Sequence, residues 1–575
     1  MHTFQQLRKA AKRVGEDAPA VRIALCGDTA TQLLATALRG EGALRGLCPQ
    51  LFEADYDQVE QQLLQPHSAL HRFGAHYVVL YRSVRRFAAR HAALPTEAQA
   101  NLADDYLQLV RDALAMPQMQ GRTLIVLNLP DADDGVYGGY ASSVPASLLS
   151  QVRCFNAGLQ ALAAENPALR VCDVAMLQAR IGRDALFDDA VYATTELEFS
   201  LTALPQVAAL IYNTVCAARG SLRKVLVTDL DNTLWGGVVG DDGWEALQIG
   251  HHLGIGRVYT ELQQWMKKLV RRGVILCVVS KNDEAVARLP FEHHPDMVLR
   301  LDDVAVFQAN WDTKADNILR LAEILHIGTD QMVFLDDNPF ERAIVREGVP
   351  GIAVPELDAD PARWLSQLSA SGLFETAAVS SADAARTRQY REEAARVATR
   401  RRFEGEDDFL ASLQMRATVE GLTPFNLPRA AQLTQRSNQF NLRTVRYTEA
   451  ALSLLAADER AVPLCFSLAD RFGDAGLVSV VILRRTDADT LFIDTWLMSC
   501  RVLRRGMEQF VANTLVATAR RLGARRIEGE YLPTAKNAMV AGLLPSLGFR
   551  PVPAATTARF TLDVSAYSEQ PCHIS

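Results

Sequence analysis

Two carboxylates two residues apart, Asp229 and Asp231, follow the apolar run Val225–Val227 and precede a hydroxyl at Thr233 and a glycine pair at Gly236 and Gly237. In extended backbone, residues i and i+2 project to the same side, so one strand end delivers both acids to one site. Oxygen ligands of this kind hold Mg²⁺. One acid can then attack phosphorus while the other moves protons. The chemistry outlined is phosphoryl transfer.

Three further elements follow in order. Ser280 ends the apolar run Val274–Val279, Lys314 opens a helical pattern, and Asp336 and Asp337 follow the run Met332–Leu335. Asp229 has the place of a nucleophile that would form an aspartyl-phosphate, and Asp231 that of the general acid and base. Ser280 and Lys314 would bind and charge-balance a phosphoryl group. Asp336 and Asp337 would complete a Mg²⁺ site with Asp229 and Asp231. Each piece alone has a simpler reading: a turn, a helix cap at Ser280, a solvated lysine. Their common order at strand ends and a helix start favours the shared site.

The elements that position these groups read as alternating strands and helices. Strands are expected at Val225–Thr228, Val274–Val279, Met297–Leu299 and Met332–Leu335, with helices at Gly256–Arg271 and Lys314–Leu325. Each polar cluster follows a strand, the edge at which open α/β sheets bind ligands. An earlier alternation, with strands at Val21–Cys26, Tyr77–Leu80 and Thr123–Leu129 and a helix at Thr31–Leu38, predicts another parallel α/β layer domain. From about Ser380 the composition turns rich in Ala, Arg and Glu, as in a connecting helix. A strand-rich segment and a helix from Gly506 to about Leu522 then predict an α+β domain.

The totals agree with a multidomain protein. At 575 residues, 49% of them hydrophobic, the chain exceeds a single core. Sixty Lys and Arg against 67 Asp and Glu give a net charge of −7, which leaves no global basic field for nucleic acid. Neither a signal peptide nor a membrane-length apolar run is expected. Nine scattered cysteines, without metal-type pairing, suggest a reduced, cytoplasmic protein.

The four-part constellation resembles the haloacid dehalogenase (HAD) superfamily. Asp229 to Gly243, Val279 to Asp283, Asn310 to Lys314, Phe334 to Pro339 and, well outside them, Gln432 to Leu442 resemble the FkbH-like proteins. Within these motifs Thr233, Asn282 and Asn338 are candidates for holding substrate. The resemblance implies three domains: an SGNH-like three-layer α/β domain (1–219), a HAD-like Rossmannoid α/β domain with a small cap (220–375), and, after a connector (376–402), a GNAT-like α+β domain (403–575). It also implies loading of a three-carbon unit from 1,3-bisphosphoglycerate, the phosphorylated donor, onto the phosphopantetheine arm of an acyl carrier protein in polyketide or mixed assembly. The alternatives are a phosphatase of small phospho-metabolites, a non-enzymatic docking scaffold, and an esterase centred on Thr29.

This chain departs from the family pattern in three places. Val279 stands where family members commonly carry a cysteine suited to acyl relay, and Cys277, two residues earlier, is the available substitute. Gly27-Asp28-Thr29 replaces the Gly-Asp-Ser turn of SGNH hydrolases, and no Asp-x-x-His follows; His67, His71 and His76 are wrongly placed as bases, so a degenerate domain is expected. In the GNAT-like segment Arg501, Arg504, Gly506 and Asn537 are candidates for a pantetheine or coenzyme A loop, with Arg504 where a glycine is usual.

Overall fold

The computed structural model describes residues 2–13, 20–220, 222–252, 254–376, 386–400, 403, 405–437, 439–499, 502–534, 537–552 and 558–575. The chain divides into two compact units, Met1–Lys224 with Arg363–Ser380, and Val225–Ala362 with Ser381–Ser575.

The first unit is built on five parallel strands, β1 (Ala20–Gly27), β2 (Cys48–Glu53), β3 (Tyr77–Tyr81), β4 (Thr123–Leu127) and β5 (Leu169–Cys172), in the order β2-β1-β3-β4-β5. The central strands are continuous apolar runs because helices cover both faces of a parallel sheet. Every residue of β3 is buried. The edge strands β2 and β5 carry half-exposed residues, which is why hydrophobic patterning does not reveal them. The expected helix at Thr31–Leu38 runs from Gln32 to Leu44.

The second unit opens with four parallel strands, β6 (Val225–Thr228), β7 (Ile275–Ser280), β8 (Val304–Ala309) and β9 (Met332–Leu335), in the order β8-β7-β6-β9. The strand expected at Met297–Leu299 is absent. Met297 and Leu299 are buried, but the N–H groups of Val298 and Leu299 donate to the Gln263 side chain. The pairing position beside β7 belongs to β8 instead. The helix Ile255–Arg271 buries one stripe, including Tyr259, Leu262, Met266 and Leu269. The helix Lys314–Leu325 starts where the Thr313 hydroxyl accepts the Asp316 N–H. A short insertion between β6 and the helix Ile255–Arg271 is closed by a bridge between Gly236 and Gln248.

The helix Arg386–Arg400 links this sheet to the last one. Tyr390 and Ala394 pack against the core formed by β6 to β9. At its other end Arg396 meets Asp470 at 2.6 Å and Glu393 at 3.0 Å, while Arg505 pairs with both of those acids. Buried charges are tolerable only when so completely paired.

The last sheet comprises β10 (Arg416–Glu420), β11 (Ala461–Asp470), β12 (Gly473–Arg485), β13 (Thr490–Met498), β14 (Arg526–Tyr531), β15 (Arg550–Pro551) and β16 (Ala558–Asp563), in the order β10-β11-β12-β13-β14-β16-β15. It is antiparallel except for β13 and β14, whose pairing ends at Ile493 opposite Gly529. Beyond that point the segment 440–442 fills the split. Leu442 donates its N–H to the Trp496 carbonyl, Met498 to that of Phe440, and Leu532 to that of Leu442. The helix Met507–Arg521 buries Val511 and Leu515 against this sheet, as its periodicity predicts. The architecture is therefore mixed α/β, two parallel sheets followed by an α+β layer. Among the described residues no helix is long and apolar enough to cross a membrane.

Candidate active site

The first parallel edge to carry acids in the second unit lies at the ends of β6 and β9. Asp229 leaves β6 with its N–H bonded to the Leu335 carbonyl, which aligns the two strand ends. Asp229, Asp336 and Asp337 each offer a carboxylate oxygen within 4.8 Å of the others. Lys314, delivered by the helix after β8, lies 2.9 Å from Asp229 Oδ2 and 2.5 Å from Asp336 Oδ2. Asp229, Asp336 and Lys314 are all buried.

The electrostatics follow from that burial. Burial itself and then the neighbouring Asp229 charge raise both Asp336 and Asp337 above the ordinary carboxylate range. For Lys314 burial opposes the ammonium, but Asp229 and Asp336 together outweigh it and hold the side chain charged. Three carboxyl groups thus share a buried site with one ammonium. Asp229 Oδ1 is buried without a hydrogen-bond partner. An all-oxygen donor set, carboxyls whose ionisation is mutually opposed and an orphaned carboxylate oxygen fit a hard divalent cation.

Asp231 stands outside that three-acid cluster, although the sequence reading counts it as a fourth metal carboxylate. Its Oδ1 accepts the Trp235 indole N–H and the Val239 N–H, each at 2.9 Å, and its Oδ2 accepts the Asn282 amide at 3.0 Å. Burial raises its pKa, with the Asp229 charge adding to the effect and the hydrogen bonds opposing it. A fixed carboxyl with a raised pKa suits proton transfer.

The remaining candidates divide into site walls and braces. Ser280 is buried at the end of β7. It does not cap the helix Glu284–His293, whose cap is Asp283. Thr233 accepts the Asp337 N–H at 3.1 Å and donates to Asp337 Oδ1 at 3.2 Å, so it fastens a carboxylate of the cluster. Asn282 holds Asp231. Asn338 caps the helix Pro339–Gly348 through the Phe340 N–H, and its own N–H donates to Asp336.

Two braces escape sequence reasoning. Trp235, fully buried, orients Asp231. Arg342 donates to the carbonyls of Asp336 at 2.8 Å and Asp337 at 2.7 Å. Their spacing from the acids, four and six residues, is the available signal, but their partners are set by the tertiary fold.

The relay candidate Cys277 lies in the apolar core with Val279, Ile318 and Phe334. Burial pushes its thiol up to about 12, so it is enclosed and protonated. In the first unit Thr29 is buried and donates to the Tyr81 hydroxyl at 3.2 Å. His71 and His91 are bonded to the carbonyls of Leu63 and Ala146, far from a base's role toward Thr29.

Of the C-terminal loop candidates, Arg504 and Gly506 share one cavity. Arg501 lies outside the described residues. Arg504, in left-handed backbone at φ 58°, and Gly506 line a cavity of about 850 Å³ with Phe440, Glu508 and Met539. A non-glycine residue thus holds the conformation that glycine adopts most freely. Asn537 is fully buried, its amide donating to the carbonyls of Asn441 and Leu532 and its oxygen accepting the Thr534 N–H. It clamps the segment that fills the sheet split, which gives the Gln432 to Leu442 motif a structural role.

Comparison with known proteins adds to this geometry. Residues 22–216 match the family described as FkbH, N-terminal domain. No curated protein matches the chain in sequence. Among solved structures, the N-terminal part of the protein BF1531 from Bacteroides fragilis, containing a phosphatase domain complexed with Mg, is 46% identical. The match covers 66% of this chain and 100% of that one, with a TM-score of 0.64. Ribosomal-protein-S18-alanine N-acetyltransferase from Escherichia coli matches at 19% identity over 27% of this chain and 98% of its own, with a TM-score of 0.20. On the strength of the Bacteroides match and the N-terminal domain, this chain belongs to the FkbH-like family of the HAD superfamily.

Proposed function

We propose that the protein is a Mg²⁺-dependent phosphatase and acyltransferase that transfers a phosphorylated three-carbon acyl unit to the arm of an acyl carrier protein and removes its phosphate. The observation that carries the phosphatase half is the unpartnered Oδ1 of buried Asp229, beside Lys314 and two further carboxylates. The Mg complexed with the Bacteroides phosphatase domain supports the choice of ion. Asp229, Asp336 and Asp337 would hold it, and when bound it would neutralise phosphate oxygens.

Asp229 attacks phosphorus, forming a bond to the carboxylate oxygen as the phosphorus bond to the substrate oxygen breaks. Asp231 gives its proton to that leaving oxygen. It then takes a proton from water, which cleaves the aspartyl-phosphate and frees phosphate. Lys314 and Ser280 hold the phosphoryl oxygens, and Asn282 and Trp235 keep Asp231 aimed. In the loading step the carrier thiol attacks the acyl carbon of 1,3-bisphosphoglycerate and the acyl phosphate leaves as phosphate. With Cys277 enclosed, direct attack by the carrier thiol is the favoured route.

Residues 220–375 carry the phosphoryl chemistry in this reading, with 1–219 and 403–575 as flanking domains joined through 376–402. The eight described cysteines, all free thiols, accord with a cytoplasmic setting. The test incubates protein, Mg²⁺, 1,3-bisphosphoglycerate and a phosphopantetheinylated carrier protein, then weighs the carrier by intact mass spectrometry. A glyceryl increment is expected, replaced by a phosphoglyceryl increment in Asp229→Asn. Phosphate release with an unchanged carrier would instead mark a phosphatase of small metabolites.

A further inference from the structure

Parallel strands that diverge leave backbone N–H and C=O groups facing the gap, and an extended, amide-bearing chain can pair with both sides. The C-terminal sheet has such a gap. β13 and β14 pair only as far as Ile493 opposite Gly529, after which β13 runs on to Met498 and β14 to Tyr531. A GNAT-like pattern implies coenzyme A as a ligand, and its pantetheine arm is a chain of that kind. What already fills the gap decides whether the arm fits.

The occupant is the chain itself. Leu442 has both backbone groups engaged: its N–H donates to the Trp496 carbonyl on β13 at 3.1 Å, and its carbonyl accepts the Leu532 N–H, just past β14, at 2.9 Å. The Phe440 carbonyl accepts the Met498 N–H at 3.1 Å, and Asn441 forms an antiparallel bridge with Leu497. The Asn441 carbonyl accepts the Asn537 amide at 2.9 Å, and both asparagines are 0% exposed. The next residue, Arg443, spans the two strands, 2.9 Å from Asp494 on β13 and 3.0 Å from Glu530 on β14. Withdrawing the segment would leave the buried Trp496 carbonyl and Met498 N–H without these partners, a costly state that an incoming arm would have to repair at every point.

The cavity of about 850 Å³ beside Phe440 is a poor match for the coenzyme's diphosphate. Among the described residues its wall sets Glu406, Asp407 and Glu508 against Arg504 and His573, and His573 already lies 3.2 Å from Asp407. Arg505, next in the loop, is held by Glu393 and Asp470. Glu508 stands in the first turn of the helix Met507–Arg521, where an anion would otherwise meet unpaired N–H groups. We infer that Phe440–Leu442 is a built-in strand standing where an amide-bearing arm would lie, so that the C-terminal α+β layer accepts neither coenzyme A nor a pantetheine arm between β13 and β14. The GNAT-like pattern and the contacts disagree, and the contacts make this layer independent of coenzyme A. That holds whichever phosphorylated donor the Asp229 site takes.

The test titrates the full chain with coenzyme A and with acetyl-coenzyme A by calorimetry, and follows backbone hydrogen exchange of residues 440–442, 494–498 and 503–509 by mass spectrometry with and without ligand. No saturable binding is expected up to about 1 mM, and residues 440–442 should exchange slowly in either case. Asn537→Ala should speed their exchange by roughly tenfold or more; an unchanged rate would contradict the clamp. Saturable binding with a Kd below about 100 µM that alters exchange in any of the three segments would overturn the inference. Binding that leaves all three unchanged would belong to another part of the chain and leave the split closed to the coenzyme.

Discussion

Asp28 and Asp229 occupy corresponding places in two parallel sheets, each the first acid beyond a central strand and each buried. Their partners differ. Asp28 accepts the Ser83 N–H at 2.7 Å and lies 3.5 Å from Arg82, while the adjacent Thr29 hydroxyl is given to Tyr81. Nearby, the Ser83 hydroxyl donates at 2.6 Å to Glu198, whose other oxygen accepts the Val84 N–H. Asp28, Thr29, Ser83 and Glu198 are thus each engaged by a neighbour within the unit. At the second edge Asp229 keeps one oxygen without a partner, among carboxylates that repel one another. A motif-like acid at a strand end becomes a site when the fold leaves some of its hydrogen-bonding capacity unused.

The largest effect expected from this contrast is on activity. Asp229→Asn should lower Mg²⁺-dependent phosphate release by roughly 10³-fold or more, while Thr29→Ala leaves it within about twofold. Steady-state assay of the two variants side by side would break the contrast if Thr29→Ala were the damaging change. Next in size is Lys314→Met, which leaves Asp229 and Asp336 buried without their cation. It should cost about 3 kcal/mol or more in metal-free denaturant unfolding. Added Mg²⁺ should recover part of that loss, which no change at the first edge would do. Thr233→Val frees Asp337 and should weaken Mg²⁺ binding by about tenfold, read by calorimetric titration.

The first edge makes its own prediction, in pH. Burial raises Glu198 to about 7, with its hydrogen bonds to Ser83 and Val84 and the Arg85 charge opposing the shift. The folded state therefore binds a proton that the unfolded chain releases near its ordinary value. Stability from this group is full below about 4.5 and is lost as pH rises through about 7. Thermal melts of wild type minus Glu198→Gln should show that slope, and a flat difference would mean the carboxyl is hydrated. The smallest effect belongs to Cys277→Ala, expected to cost about 1–2 kcal/mol in stability and nothing in carrier loading by intact mass.

The two edges were unequally legible in the sequence. The acids of the second were visible because phosphoryl chemistry demands particular residue types, and continuous apolar runs marked β1, β3, β6 and β9. What stayed hidden depends on contacts between distant parts of the chain. Trp235 and Arg342 are ordinary residues until their partners are known. Buried Met297 and Leu299 imitate a strand because the Gln263 side chain replaces a neighbouring backbone. Arg505 reads as part of a basic loop, yet it is buried between Glu393 and Asp470. Asn537 resembles a ligand-binding residue but spends its amide on the strap that fills the sheet split. Edge strands such as β2 and β5 lack the patterning that burial on two faces imposes.

The account turns on Asp229 as the group that receives phosphorus. The direct test is acid quench of a single turnover with Mg²⁺ and a phosphorylated substrate, followed by peptide mass mapping. A phosphoryl increment on the peptide carrying Asp229, absent in Asp229→Asn, is the predicted result. Phosphate released with the increment on another residue, or with no protein adduct at any quench time, would contradict it.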